Sequence, residues 1–86
     1  MKNGFIINKY GDKFYYKDSI LHREDGPAIE YTNEDKEWYQ NGKLHRIDGP
    51  AIEYISKDKY WFYQGKRIFC SSQQEFEKII KLRLFW

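Results

Sequence analysis

The sequence predicts a mainly β fold, an antiparallel meander of about six to seven strands closed by a C-terminal α-helix over about residues 72–84. The first observation behind this is a tandem repeat. Leu21 to Tyr31 (LHREDGPAIEY) returns as Leu44 to Tyr54 (LHRIDGPAIEY) at an offset of 23 residues, and 15 of 23 positions agree between residues 21–43 and 44–66. The second is Asn41-Gly42, flanked by apolar residues. Asn-Gly is the strongest short hairpin cue, because both central residues of a type I′ turn need positive φ. The third is Ser72 followed three residues on by Glu75, a capping box that starts a helix where the repeat ends. The period organises residues 1–86 as one domain: a degenerate first repeat (1–20), two full repeats (21–43 and 44–66), and a closing strand and helix (67–86).

Residues 4–8 and 13–17 read as two strands around the glycine-containing turn Lys9-Tyr10-Gly11-Asp12. Asp18-Ser19 and Gln64-Gly65 hold the place of Asn41-Gly42 in the flanking units, and a second connection recurs at residues 33–35 and 56–58. Each repeat is then two strands joined by two alternating turns. Asp25-Gly26-Pro27 and Asp48-Gly49-Pro50 interrupt the longer strand of each unit. Proline lacks a ladder donor and glycine accepts strained φ/ψ, so a bend or bulge is expected there, with Asp25 and Asp48 accepting hydrogen bonds from its amides. After Lys66 the repeat stops, and Phe76, Ile79, Ile80 and Leu84 form the buried stripe of the helix. Repeat arrays need such a closing element, and Phe85-Trp86 is expected to tuck back onto the sheet.

The turns set the pairing. Tyr39 falls opposite Leu44 and Trp38 opposite His45; the 33–35 loop is expected to put Glu30 opposite Trp38 and Ile29 opposite Tyr39. Alternation then collects Ile29, Tyr31, Tyr39, Leu44, Ile52, Tyr54, Tyr60 and Phe62 on one face, taken as the core face under the helix. Glu30, Trp38, His45, Glu53 and Trp61 share the other with Ile7, Tyr15 and His22. A helix of about 12 residues is roughly 18 Å long, whereas six strands span about 24–29 Å. Part of the aromatic surface is therefore left for water, for self-coverage by twist or for a partner.

Aromatics make up 20% of the chain, so it stabilises itself with large flat side chains on a pleated surface. The net charge is +2, with residues 1–65 carrying ten Lys/Arg against eleven Asp/Glu and residues 66–86 five against two. Near-neutral repeats argue against an acidic nucleic-acid mimic and give little support to a phosphate binder. The single cysteine, Cys70, forms no internal disulfide, and no apolar run is long enough for a signal peptide or membrane helix. The expectation is a soluble, cytoplasmic protein without membrane insertion.

His22 and His45, each followed by Arg and then an Asp, invite a metal or catalytic reading. Equivalent positions in adjacent two-strand units lie roughly 9–10 Å apart, too far for two imidazoles on one zinc. No Ser/His/Asp order, phosphate loop or Cys/His cluster is present. The expectation is no enzyme, no metal and no cofactor. The ladder Tyr15, Trp38, Trp61 occurs once per repeat: either a cross-strand stack or a recognition surface. With His22, His45, Arg23, Arg46, Lys36 and Lys59 it makes the candidate partner-binding set, while Asp25, Gly26, Pro27, Asp48, Gly49, Pro50, Asn41 and Gly42 are structural motif residues. Aromatics interleaved with Lys9, Lys13, Lys17, Lys36 and Lys59 could also stack single-stranded bases or nucleotides, but Asp12, Glu30, Glu37, Glu53 and Asp58 interrupt any basic stripe. The open edge of the first strand leaves homo-oligomers open.

Residues 38–45 (WYQNGKLH), with their 23-residue period, resemble MORN-type repeats, and Leu-His-Arg-x-Asp-Gly-Pro-Ala resembles a variant seen in short tandem-repeat proteins of phages, giant viruses and some bacteria. The ending from Ser72 to Trp86 resembles the closing helix of the phage versions, so the likeness covers residues 12–86. Ordinary MORN units carry glycines where this chain has Arg-x-Asp-Gly-Pro, so the resemblance does not by itself imply lipid binding. The resemblance implies a non-enzymatic scaffold that binds other proteins. Its phage-like character implies a small accessory protein acting in the host cytoplasm, one that inhibits a bacterial defence complex such as a CRISPR effector.

Overall fold

A computed structural model describes residues 4–83. Among them the chain forms ten short strands, β1 (Gly4–Ile7), β2 (Lys13–Lys17), β3 (Ile20–Leu21), β4 (Ile29–Glu30), β5 (Lys36–Glu37), β6 (Tyr39–Gln40), β7 (Lys43–Leu44), β8 (Ile52–Glu53), β9 (Lys59–Tyr63) and β10 (Lys66–Ile68), then helix α1 (Gln73–Arg83). Every strand pair is antiparallel, in the order β1-β2-β4-β5-β8-β9-β10, with β3 also on β2 and β6 paired to β7. The fold is the expected meander. Its strands are shorter and more numerous because β3/β4, β5/β6 and β7/β8 are halves of three interrupted ribbons. The molecule is a slab 41 × 30 × 17 Å. The positions given to Leu84, Phe85 and Trp86 lie outside the described residues.

Local chemistry explains the turns. Asp18 and Ser19 (52° and 65°), Asn41 and Gly42 (52° and 80°), and Gln64 and Gly65 (49° and 85°) all have positive φ, as type I′ turns require. The other connection repeats as well: Gly11, Glu34 and Lys57 occupy the same phase with φ of 90°, 76° and 79°. There Tyr31 N–H donates to Asp35 O at 3.0 Å, leaving three residues in the loop. The shorter loop moves the expected register by two: Glu30 faces Lys36 and Ile29 faces Glu37, not Trp38 and Tyr39. A two-residue slip leaves each side chain on its face.

The Asp-Gly-Pro segments are more than bends. His22 N–H donates to Tyr15 O (3.0 Å), and Tyr15 N–H donates to Ala28 O (2.8 Å). One residue of β2 thus faces both ends of a detour, and residues 24–27 leave the sheet as a loop, Arg23 N–H still donating to Tyr39 O (3.2 Å). The next repeat does the same, with His45 N–H on Trp38 O (3.1 Å) and Trp38 N–H on Ala51 O (2.7 Å). Ala28 and Ala51, where the loops rejoin the sheet, are fully buried.

In the third repeat the helix stands in the place of the loop. Trp61, Ile68, Phe76 and Ile80 form the buried cluster, with Tyr63, Cys70 and Ile79 packed on it. Helix α1 therefore covers the Trp61 side, and the assignment of Ile29, Tyr31, Tyr39, Leu44, Ile52, Tyr54, Tyr60 and Phe62 as the face under the helix is corrected. Of that set only Ile29 is buried. Ile68 marks the change: it holds the repeat position of His22 and His45, and an apolar side chain there packs into the helix. Ser72 caps the helix as expected, with Glu75 N–H donating to Ser72 Oγ (3.2 Å), while the Glu75 carboxylate reaches one residue further back than in a capping box and Oε1 accepts from Ser71 N–H (2.8 Å). No described helix is long and apolar enough to cross a membrane.

Candidate interaction groove

Each detour loop is held by its own arginine. In the second loop, Arg46 Nε donates to Asp48 Oδ1 (2.9 Å), while Nη1 donates to Pro50 O (3.1 Å) and to Glu53 Oε2 (3.0 Å). Its guanidinium carbon lies 3.8 Å from the centroid of Trp38. In the first loop, Arg23 Nε donates to Asp25 Oδ1 (3.0 Å) and Nη1 to Pro27 O (3.1 Å), with Glu30 farther away at 3.6 Å and the Tyr15 ring at 4.0 Å. The loop folds back so that a planar cation covers the aromatic ring opposite the gap in the ladder.

This geometry corrects two expectations. Asp25 and Asp48 accept from the arginine side chains, which offer a charged donor in place of a bend amide. Gly26 and Gly49 are not among the positive-φ residues. They are glycines because of crowding: a Cβ on Gly49 would lie 2.6 Å from Arg46 Cζ, and one on Gly26 3.0 Å from Arg23 Cζ. Asn41 and Gly42 keep their turn role, and a Cβ on Gly42 would also meet Ile20 Cγ2 at 2.9 Å.

The histidines tie one repeat to the next. His22 Nδ1 accepts Asn41 N–H (2.9 Å) and His45 Nδ1 accepts Gln64 N–H (2.8 Å). His22 Nε2 is buried with no partner. His45 packs on Tyr63 with ring centroids 5.0 Å apart, and desolvation pulls its pKa below the usual 6.5. On the other row of turns, Asp12 Oδ1 accepts Thr32 N–H (2.9 Å) and Asp35 Oδ1 accepts Ile55 N–H (2.8 Å). Reading the repeat did not single out these aspartate ties, although their fixed phase in each copy was the signal.

The aromatic ladder divides. Trp61 is buried, and its Nε1–H donates to Gln73 Oε1 (2.8 Å). Tyr15 and Trp38 are half-buried under their arginines. Lys36 and Lys59 are exposed but alternate with acids across the strands, in the order Lys13, Glu30, Lys36, Glu53, Lys59. On the opposite face Glu37 sits between Ile29 and Ile52 and accepts from the hydroxyls of Tyr39 (3.0 Å) and Tyr31 (3.4 Å). Burial, first, and that carboxylate push both phenols above the ordinary tyrosine range.

Four of the nine residues of the candidate partner-binding set, Arg23, Trp38, His45 and Arg46, meet in one place, a groove of about 480 Å³ between the two loops. Trp38, Gln40 and His45 line it together with Arg23, Asp25 and Gly26 of one loop and Arg46, Ile47 and Asp48 of the other. The arginine side chains are 24% and 20% exposed, whereas Asp25 and Asp48 are each 87% exposed. The cations thus turn inward and the carboxylates form the rim, joined by Glu24 and the exposed Ile47. His22, Tyr15, Trp61, Lys36 and Lys59 are not among its lining residues. Among the described residues no group of three or more His, Cys, Asp or Glu side chains is placed to hold a metal ion.

No protein-family model, no curated protein and no solved structure matches this chain. The resemblance to MORN-type repeats rests on the residues quoted for it.

Proposed function

We propose that the chain is a non-enzymatic protein-binding repeat module whose inter-loop groove takes a basic segment of another protein. The observation that carries this reading is the orientation of charge at the groove: both arginines are spent inside their loops, and two almost fully exposed aspartates face out. Trp38 and Ile47 supply apolar contact beside them, a pairing suited to the stem and charged head of Lys or Arg. The phage-type resemblance extends the proposal to a host partner, with a nucleic-acid-handling defence complex as the leading class because such proteins carry basic surfaces. The chain then acts by occupying that surface. Single-stranded nucleic acid has less support, since a phosphate backbone would meet the rim carboxylates and the alternating Lys/Glu rows.

The test is co-purification from host lysate with the parent chain and with an Asp25→Lys/Asp48→Lys variant of unchanged melting temperature. The parent is expected to retain a partner that the variant loses. Equal retention by both refutes the groove. A fluorescence titration with a single-stranded oligonucleotide at two salt concentrations tests the alternative, which requires a steep salt slope.

A further inference from the structure

The two edges of the sheet are built differently. The β10 edge carries Lys66 and Arg67, both exposed, and leads into the helix. Exposed charge of this kind guards an edge against pairing. The β1 edge carries none: Phe5, Ile6 and Ile7 are 50%, 48% and 54% exposed, and among the described residues the strand pairs only with β2. A head-to-tail stack of copies would have to use the guarded edge. An isologous contact uses β1 twice.

The register follows from hydrogen-bond direction. Tyr15 gives its N–H to Ala28 O and its O to His22 N–H, both away from β1. Phe5 faces Tyr15, so that pair exchanges no ladder hydrogen bonds, and the backbone groups of Phe5 and, two residues on, Ile7 point outward. In an antiparallel pair related by a two-fold axis normal to the sheet, paired residues keep the same face, so the centre falls on a single residue. Centring on Ile6 sets Phe5 opposite Ile7 of the second copy and Ile7 opposite its Phe5, which satisfies all four outward N–H groups and all four outward carbonyls with one another. We propose that the chain self-associates through this edge, β1 against β1 of a second copy, with Ile6 on the two-fold axis.

Apolar rows then run on across the junction. Ile6 extends the row Phe14, Ile29, and Phe5, stacked on Tyr15 at 5.2 Å, meets Ile7 of the other copy. The axis is normal to the sheet, so both inter-loop grooves face the same way. One strand buries less than the roughly 800 Å² per partner of a standard interface, so the dimer forms in the micromolar range or weaker. This inference stands independently of what the groove binds.

Sedimentation velocity from about 10 µM to about 1 mM is expected to show the average mass rising from 10.6 kDa toward twice that value. Ile6→Lys is expected to raise the dissociation constant at least about tenfold, a change of about 1.4 kcal/mol. Ile6→Cys in a Cys70→Ser background is expected to form a disulfide dimer on mild oxidation, because residues at the centre of a pair without ladder bonds lie closest, with Cα atoms about 4.5 Å apart. Leu82→Cys in the same background, 66% exposed on the helix, is the control. A mass of 10.6 kDa at every concentration overturns the proposal. So does dimerisation undiminished in a folded Ile6→Lys, or cross-linking at residue 6 no faster than at residue 82. If Ile6→Lys fails to fold, the cross-linking comparison decides.

Discussion

Gly49 and Arg46 should be energetically coupled, and the coupling is measurable. An alanine Cβ at position 49 would lie 2.6 Å from Cζ, 2.9 Å from Nη1 and 3.0 Å from Nε of Arg46, so the guanidinium must leave its place. Leaving weakens a cation–π contact to the half-buried Trp38, about 0.5–2 kcal/mol. It also weakens the charged hydrogen bonds to Pro50 O and Glu53, about 1 kcal/mol together once their partial exposure is discounted. Against this, alanine restricts the unfolded chain and returns about 0.4–1 kcal/mol. Gly49→Ala should therefore cost about 1–2 kcal/mol in the parent, and in an Arg46→Ala background it should be neutral or slightly stabilising. Urea unfolding of the parent, both single variants and the double variant gives the coupling directly. A difference between backgrounds below about 0.5 kcal/mol would refute the claim that the glycine exists to admit the guanidinium. Gly26→Ala, with its nearest contact at 3.0 Å, should cost less than Gly49→Ala.

Gly42→Ala should destabilise more than Gly65→Ala by about 1 kcal/mol in urea unfolding, because both have positive φ but only Gly42 faces a close neighbour, Ile20 at 2.9 Å. Trp61→Ala should cost about 3–5 kcal/mol, enough to unfold a domain this small, while Trp38→Ala, half-buried, should melt within reach of the parent; comparable losses would contradict the division of the ladder. His45 has a folded pKa below its unfolded 6.5, so the unfolded chain takes up protons first. Its contribution is complete above about pH 6.5 and declines as pH falls through the folded value. A His45→Gln variant should accordingly show a flatter dependence of melting temperature on pH between about 7.5 and 5.

What could be read from the chain was whatever recurs or terminates locally. Identity at one offset established the meander, Asn41-Gly42 announced the positive φ values seen in all three hairpins, and Ser72 with Glu75 marked the helix start. Strand alternation could not say which face is covered, because it sorts residues into two faces and both are rich in aromatics. The side was decided by residues 24–27 and 47–50, which leave the ladder, and by Arg23 and Arg46 just before them, which hold these loops over Tyr15 and Trp38. Their cue was present but compound: an arginine, an aspartate two residues on and a glycine next to it. The glycine was open to explanation by conformation until the position of the guanidinium was known.

Seen this way, the two loops and the helix are three solutions to one problem. Each repeat opens its ladder opposite one aromatic residue and must shield that ring. Two repeats use an arginine on a short loop, and the last, with no further turn to receive a histidine, uses Ile68 and the helix. The same logic locates the groove. Between the second loop and the helix the gap is bridged, since Gln73 Nε2 donates to Ile47 O at 2.8 Å while its Oε1 holds Trp61. Between the two loops no such bridge is needed, because each arginine closes its own loop. The opening there follows from solving the shielding problem one repeat at a time, and that is why Trp38, alone among the three ladder residues, lines it.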